Sequence, residues 1–199
     1  MTTRRELIQT GVVLGAALLP GGAALAAGPA APRPLTLHKA AYDGRTAAGR
    51  AFAAEARRLG VAVHDTRGDV TGLYADDLLD RWGRSPAPIA GLTNHASMFV
   101  LALMGSGAGL RLVWTAHHRR EADGRYSHAL FGPAAVRDRA GAYAADEADW
   151  ARQAARTAAR WPAAEATVAR ARSNIAEADL ASVAPDTLVS WVLAPVHRT

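Results

Sequence analysis

The stretch PIAGLTNHASMFVLALMGSGAGLRLVWTAHHRREADGRYSHALF, residues 88–131, decides the fold. Ile89 to Leu92 is short and wholly apolar, as strands buried on both faces of a parallel sheet are. Thr93 or Asn94 can cap a helix running from His95 to about Met104. That helix is apolar nearly all round (Met98, Phe99, Val100, Leu101, Leu103, Met104), which predicts burial. The glycine-rich run GSGAG, Gly105 to Gly109, follows a helix and opens a strand. A phosphate-binding loop has the opposite order, so the run is read as a helix stop. Leu110 to Arg119 is a further strand, Asp123-Gly124 is a hairpin signal, and Arg125 to Phe131 returns antiparallel. With the turn at residues 121–124, His117 is expected to face His128, and His118 to face Ser127.

Working outward, the same alternation continues. Leu35 to Tyr42 reads as a first strand, and Asp43-Gly44 turns the chain. A helix from about Thr46 to Leu59 follows, its apolar stripe being Ala48, Phe52, Ala56 and Leu59. Gly60 suits the position after its end. Val61 to His64 is a second strand, and Asp69 or Thr71 can cap a helix from about Gly72 to Trp82. After the hairpin, residues 134–178 are alanine-rich and helical in pattern, broken at Trp161-Pro162. Thr187 to Leu193 reads as a last strand. The order βαβαβα, hairpin, helices and strand predicts an α/β fold. The expected form is a three-layer domain with a mostly parallel sheet, one antiparallel hairpin and C-terminal helices. Its layout is similar to that of flavodoxin-like domains and periplasmic-binding-protein lobes.

Half of the 199 residues are hydrophobic, but only 6% are aromatic, so the five tryptophans are expected in the core. The net charge is +5, carried by arginines and the single Lys39. These bases are scattered among acids, with no clustered stripe of the kind a nucleic-acid surface needs. There is no cysteine, which excludes disulfides, thiolate metal sites and a lipid anchor on cysteine.

The chain opens MTTRRELIQTGVVLGAALLPGGAALAA, a charged start, a short apolar run and small residues. This is the layout of an export signal. The run Gly11 to Leu19 is shorter than the roughly 20 residues a bilayer span needs, so no stable span is expected after cleavage. Thr3, Arg4, Arg5, Glu6, Leu7, Ile8 and Gln9 carry the paired arginines and the apolar pair of a twin-arginine translocation signal, which the segment resembles. Leu7 and Gln9 stand where phenylalanine and lysine are commoner. An ordinary general-secretory signal is the competing reading. The resemblance implies export in the folded state by the twin-arginine machinery, to the periplasm or the exterior, and covers the signal alone. Cleavage is expected after Ala26, with Ala27 the neighbouring alternative. Cleavage after Ala26 removes two arginines and one glutamate and lowers the charge from +5 to +4. Residues 1–26 are thus the signal, 27–34 a proline-rich linker, and 35–199 a single domain.

In open α/β sheets, ligands bind beyond the carboxyl ends of the parallel strands. The first strand ends in Tyr42, Asp43 and Arg45. The second ends in His64, Asp65, Arg67 and Asp69, and the third in Asn94 and His95. If these strands are parallel neighbours, the groups share one edge, where arginines and helix N-termini suit a small polar or anionic ligand. Turn and cap chemistry is the competing role of the aspartates, and surface ion pairing that of the arginines. His117 and His128, with Asp65, form a second candidate set, for a divalent metal and metal-assisted hydrolysis. Ser97 and Ser127 lack a nucleophile-elbow motif. The sequence therefore points to an exported ligand-binding protein or accessory to an exported enzyme. A metal-assisted hydrolase and a non-catalytic partner subunit docking through residues 134–178 are the alternatives.

Overall fold

The computed structural model describes residues 34–132, 143, 149–161 and 187–195. The expected export signal with Arg4, Arg5 and Ala26 lies outside them, as do residues 27–33 and most of 134–178.

Among the described residues, six strands form one mixed sheet in the order β2-β1-β3-β6-β4-β5. They are β1 (Lys39–Tyr42), β2 (Val63–Asp65), β3 (Ile89–Asn94), β4 (Leu110–Arg120), β5 (Tyr126–Phe131) and β6 (Thr187–Pro195). β1 pairs in parallel with both β2 and β3. β6 is antiparallel to β3 and to β4, and β4 is antiparallel to β5. The expected mostly parallel sheet is therefore corrected to a mixed one. The cause is β6. Its nine residues, TLVSWVLAP, are buried from Thr187 to Ala194, and such a run is most stable in the middle of a sheet. It inserts between β3 and β4 instead of closing an edge.

Among the described residues the helices are α1 (Ala47–Arg58), α2 (Thr71–Leu73), α3 (Leu79–Arg84), α4 (His95–Gly107) and α5 (Trp150–Ala159); Tyr74–Leu78 form a π-helical turn between α2 and α3. Thr46 accepts from the Gly49 amide at the start of α1, and Gly60 leaves its end at φ +78°. α4 runs through Gly105 to Gly107, past the expected stop at Met104, and ends before Gly109 at φ +80°. Gly105 lies against Trp82 and Leu110, each 3.4 Å from where a Cβ would stand.

Two core clusters form, in keeping with the alternation of strand side chains. One gathers Phe52 and Ala56 of α1, Trp150 and Ala154 of α5, and Ala40, Leu92, Trp114 and Val192 of the sheet. The other gathers Leu73, Leu78, Trp82, Met98 and Leu101 of the intervening helices with Ala41, Ile89, Val189 and Trp191. All five tryptophans are buried. The expected full burial of α4 is corrected. Phe99, Leu103 and Met104 are exposed, because a helix packed on one sheet face leaves its outer side outside the core.

Candidate functional site

Parallel pairing brings the ends of β1, β2 and β3 together. Tyr42 is in register with Asp65 on one side and with Leu92 on the other. β4 points the same way as β3, since both are antiparallel to β6, but β6 stands between them. The shared edge thus exists across β1–β3, with the end of β4 displaced by one strand.

At that edge each candidate acid accepts hydrogen bonds within the loops, Asp43 buried, Asp65 half-buried and Asp69 exposed. Asp43 is buried and accepts from Arg45 three times, from its amide at 3.1 Å, Nε at 2.9 Å and Nη2 at 2.6 Å. The Arg45 guanidinium holds the Asp43 carboxyl below the ordinary carboxylate range against the opposing effect of burial. Asp65 accepts from the amides of Gly44 at 2.8 Å and Arg67 at 3.1 Å, tying the loop after β1 to the loop after β2. Asp69 accepts from the Thr71 amide at 2.8 Å, which lowers its carboxyl in turn. These are the turn and cap roles that aspartate supplies.

The loop after β2 is the pivot. Arg67 sits at φ +47° and Gly68 at φ +86°. The Arg45 guanidinium fills the space a Cβ on Gly68 would need. The Gly68 carbonyl accepts from Ser97 Oγ at 3.2 Å. Asn94 caps α4 by accepting from the Ser97 amide at 2.8 Å. One chain of contacts therefore links Asp43, Arg45, Gly68, Ser97 and Asn94 across three strand ends. Arg45 and Arg67 stand outward there, with the exposed Asp69 beside them. The Arg45 side chain is 59% exposed, and that of Arg67 is 82% exposed, with Nε 3.6 Å from Asp65. Arg50 Nη1 donates to the Gly44 carbonyl at 2.8 Å beside them. His64 is half-buried on β2 opposite Ala41, one residue short of the strand end.

The four histidines of residues 88–131 divide into two groups on opposite faces. The hairpin loop holds five residues, 121–125, closed by the Glu121 amide on the Arg125 carbonyl at 2.8 Å. This shifts the expected register by one: His118 faces His128, and His117 faces Ala129. A one-residue slip exchanges the faces of a strand. His117 therefore joins His95, with ring centroids 6.3 Å apart, and Phe131 at 5.0 Å. Burial lowers the pKa of His95, whose Nε2 is buried without a hydrogen-bond partner. Asp65 lies four strands away from β4, about 19 Å at the usual strand spacing. His117, His128 and Asp65 thus do not converge on one ion, and neither histidine is assigned as a metal ligand. Among the described residues, no group of three or more histidine or acidic side chains is placed to hold a metal.

On the other face, His118 is fully buried. Its Nε2 lies 2.7 Å from Ser190 Oγ and its Nδ1 lies 2.7 Å from His128 Nδ1. Its ring stacks on Trp150 at 4.3 Å. Ser190 is not among the expected site residues, and His118 is expected only at the end of the fourth strand, opposite Ser127. The one available signal was a lone serine inside the apolar run TLVSWVL. Bond for bond the chain follows the order of a nucleophile, base and orienting group. Ser190 is fully buried, however, so the arrangement is a core network and not an open active site.

Compared with known proteins, the chain matches no family model, no curated protein and no solved structure.

Proposed function

We propose that the chain is an exported protein that binds a small anionic ligand at the carboxyl edge of β1, β2 and β3, alone or as an accessory to an exported enzyme. Export rests on the twin-arginine resemblance of residues 3–9. The three-layer arrangement belongs to the same reading, supported by the two core clusters with their separate helices. The observation that carries the ligand reading is the division of charge at the edge. Asp43, Asp65 and Asp69 accept loop and cap bonds, while the Arg45 guanidinium, paired on one side with Asp43, and that of Arg67, 3.6 Å from Asp65, stay largely exposed beside the N-terminus of α1.

The test is a thermal-melting series with sodium phosphate, sodium sulfate and a small dicarboxylate at constant ionic strength. A ligand bound only by the folded state raises Tm in a saturable way. Arg67→Ala is expected to abolish the rise while leaving the unliganded Tm within about 0.5 kcal/mol of stability, since its side chain is exposed. No saturable rise with any of the three anions would contradict the reading.

A further inference from the structure

α5 is held at two places by different chemistry. Arg156, near its C-terminal end, donates from Nε to Glu55 Oε1 on α1 at 2.8 Å and from Nη1 to Asp149 Oδ2 at 2.8 Å. Its first residue, Trp150, instead lies on a cluster of rings. The centroids of His118, His128 and Tyr126 are 4.3, 5.4 and 4.9 Å from that of Trp150, and Tyr143 stacks on His118 at 5.8 Å.

We propose that the Ser190–His118–His128 chain is an acid-sensitive latch that releases the N-terminal turn of α5 while the Glu55–Arg156 pair keeps the rest of the helix seated. The hydrogen bonding sets the rule. Two Nδ1 atoms 2.7 Å apart share one proton. If both rings become cations, two N–H groups point at each other and the contact opens. The fully buried His118 has no water to solvate a charge, and burial places its pKa well below the usual 6.5, with His128 and His117 adding like charge. Among the described residues, the titratable and charged groups around the latch are His117 on β4, His128 and Tyr126 on β5, Tyr143, and Asp149 beside Trp150. Asp149 bonds Arg152 and Arg156. Ser190 on β6 does not titrate in this range. The second anchor responds at a different pH, because Arg58 and Arg156 hold the Glu55 carboxyl at about 2. Between mildly acidic pH and that value, one anchor is open and the other closed.

The sign follows from linkage. A group that binds its proton more readily in the open state favours opening as pH falls below the open-state pKa. One proton gives roughly a tenfold rise in the opening constant per pH unit. The test is hydrogen exchange on the full chain at pH 7.5, 6.0 and 5.0, corrected for the intrinsic pH dependence of exchange. Amides at the start of α5 are expected to lose protection about tenfold per unit below pH 6.5, while β1 and β3 keep theirs. In His128→Gln, the glutamine oxygen can accept from a protonated His118, so the acid-driven loss is expected to fall at least threefold. Should that variant not fold, the titration of the His118 ring in the native chain by NMR replaces it, with protonation expected together with the loss of protection. Protection at α5 that ignores pH would overturn the latch. So would parallel loss at β1 and β3, full pH dependence in His128→Gln, or a His118 ring that takes its proton without loss of protection.

Discussion

Gly91 on β3 stands directly opposite Trp191 on β6, and the indole occupies the space that a Cβ on Gly91 would need. Trp191 Nε1 donates to Thr93 Oγ1 at 3.0 Å, so the ring is fixed in that seat. This contact joins the parallel half of the sheet to the antiparallel half. Gly91→Ala is expected to destabilise the fold by about 1–3 kcal/mol through overpacking, read from the midpoint of urea unfolding. A neutral effect would mean that β6 does not lie where it is placed.

The hairpin register can be tested covalently, because the chain has no cysteine of its own. His118→Cys with His128→Cys is expected to form an intramolecular disulfide on mild oxidation. His117→Cys with His128→Cys is expected to remain reduced, since those two side chains leave opposite faces of the sheet. Mass spectrometry after alkylation reads both. The reverse result would restore the four-residue turn that Asp123-Gly124 suggests in isolation.

These two contacts mark how far the sequence could be read. The ends of α1 and the cap of α4 were legible, because Thr46, Gly60 and Asn94 act on their own neighbours. The shared edge of β1–β3 was legible too, since parallel strands joined by helices return on the same side. The place of β6 was not, because the burial of Thr187 to Ala194 reports a central strand without naming its partners. The hairpin was misread by one residue through its loop length: the Gly124 amide does turn back onto the Glu121 carbonyl, but the Glu121 amide reaches the carbonyl of Arg125, one residue further on, and that step exchanged His117 for His118. The exposed side of α4 was hidden by its own composition, for a helix apolar all round shows no moment to say which face looks outward.

Glu55 is buried and accepts from both Arg58 and Arg156, which hold its carboxyl at about 2. The depressed value means that its contribution is complete above the ordinary 4.5 and is lost as pH falls from there toward 2. Glu55→Gln is expected to cost roughly 2 kcal/mol at pH 7 and much less at pH 3. Urea unfolding at the two pH values reads the difference. An equal cost at both would show that the carboxylate charge is not what holds α5 to α1.

Asn94 links the candidate site to the fold, since its side chain caps α4 while Ser97 of the same turn bonds the Gly68 carbonyl. Asn94→Ala is expected to destabilise by about 1 kcal/mol, the usual worth of a cap. Asn94→Asp is expected to restore most of it, as aspartate caps equally well and favours the helix N-terminus. Chemical denaturation of the three proteins side by side checks the order.

The central claim is that the loops after β1 and β2 receive an anion. The most direct measurement is a titration of the isotope-labelled chain with sodium phosphate, followed through backbone amide shifts at constant ionic strength. The account predicts saturable shifts confined to Gly44–Thr46 and Arg67–Asp69, lost in Arg45→Ala together with Arg67→Ala. Shifts that rise linearly without saturation, or that centre on another part of the sheet, would contradict it.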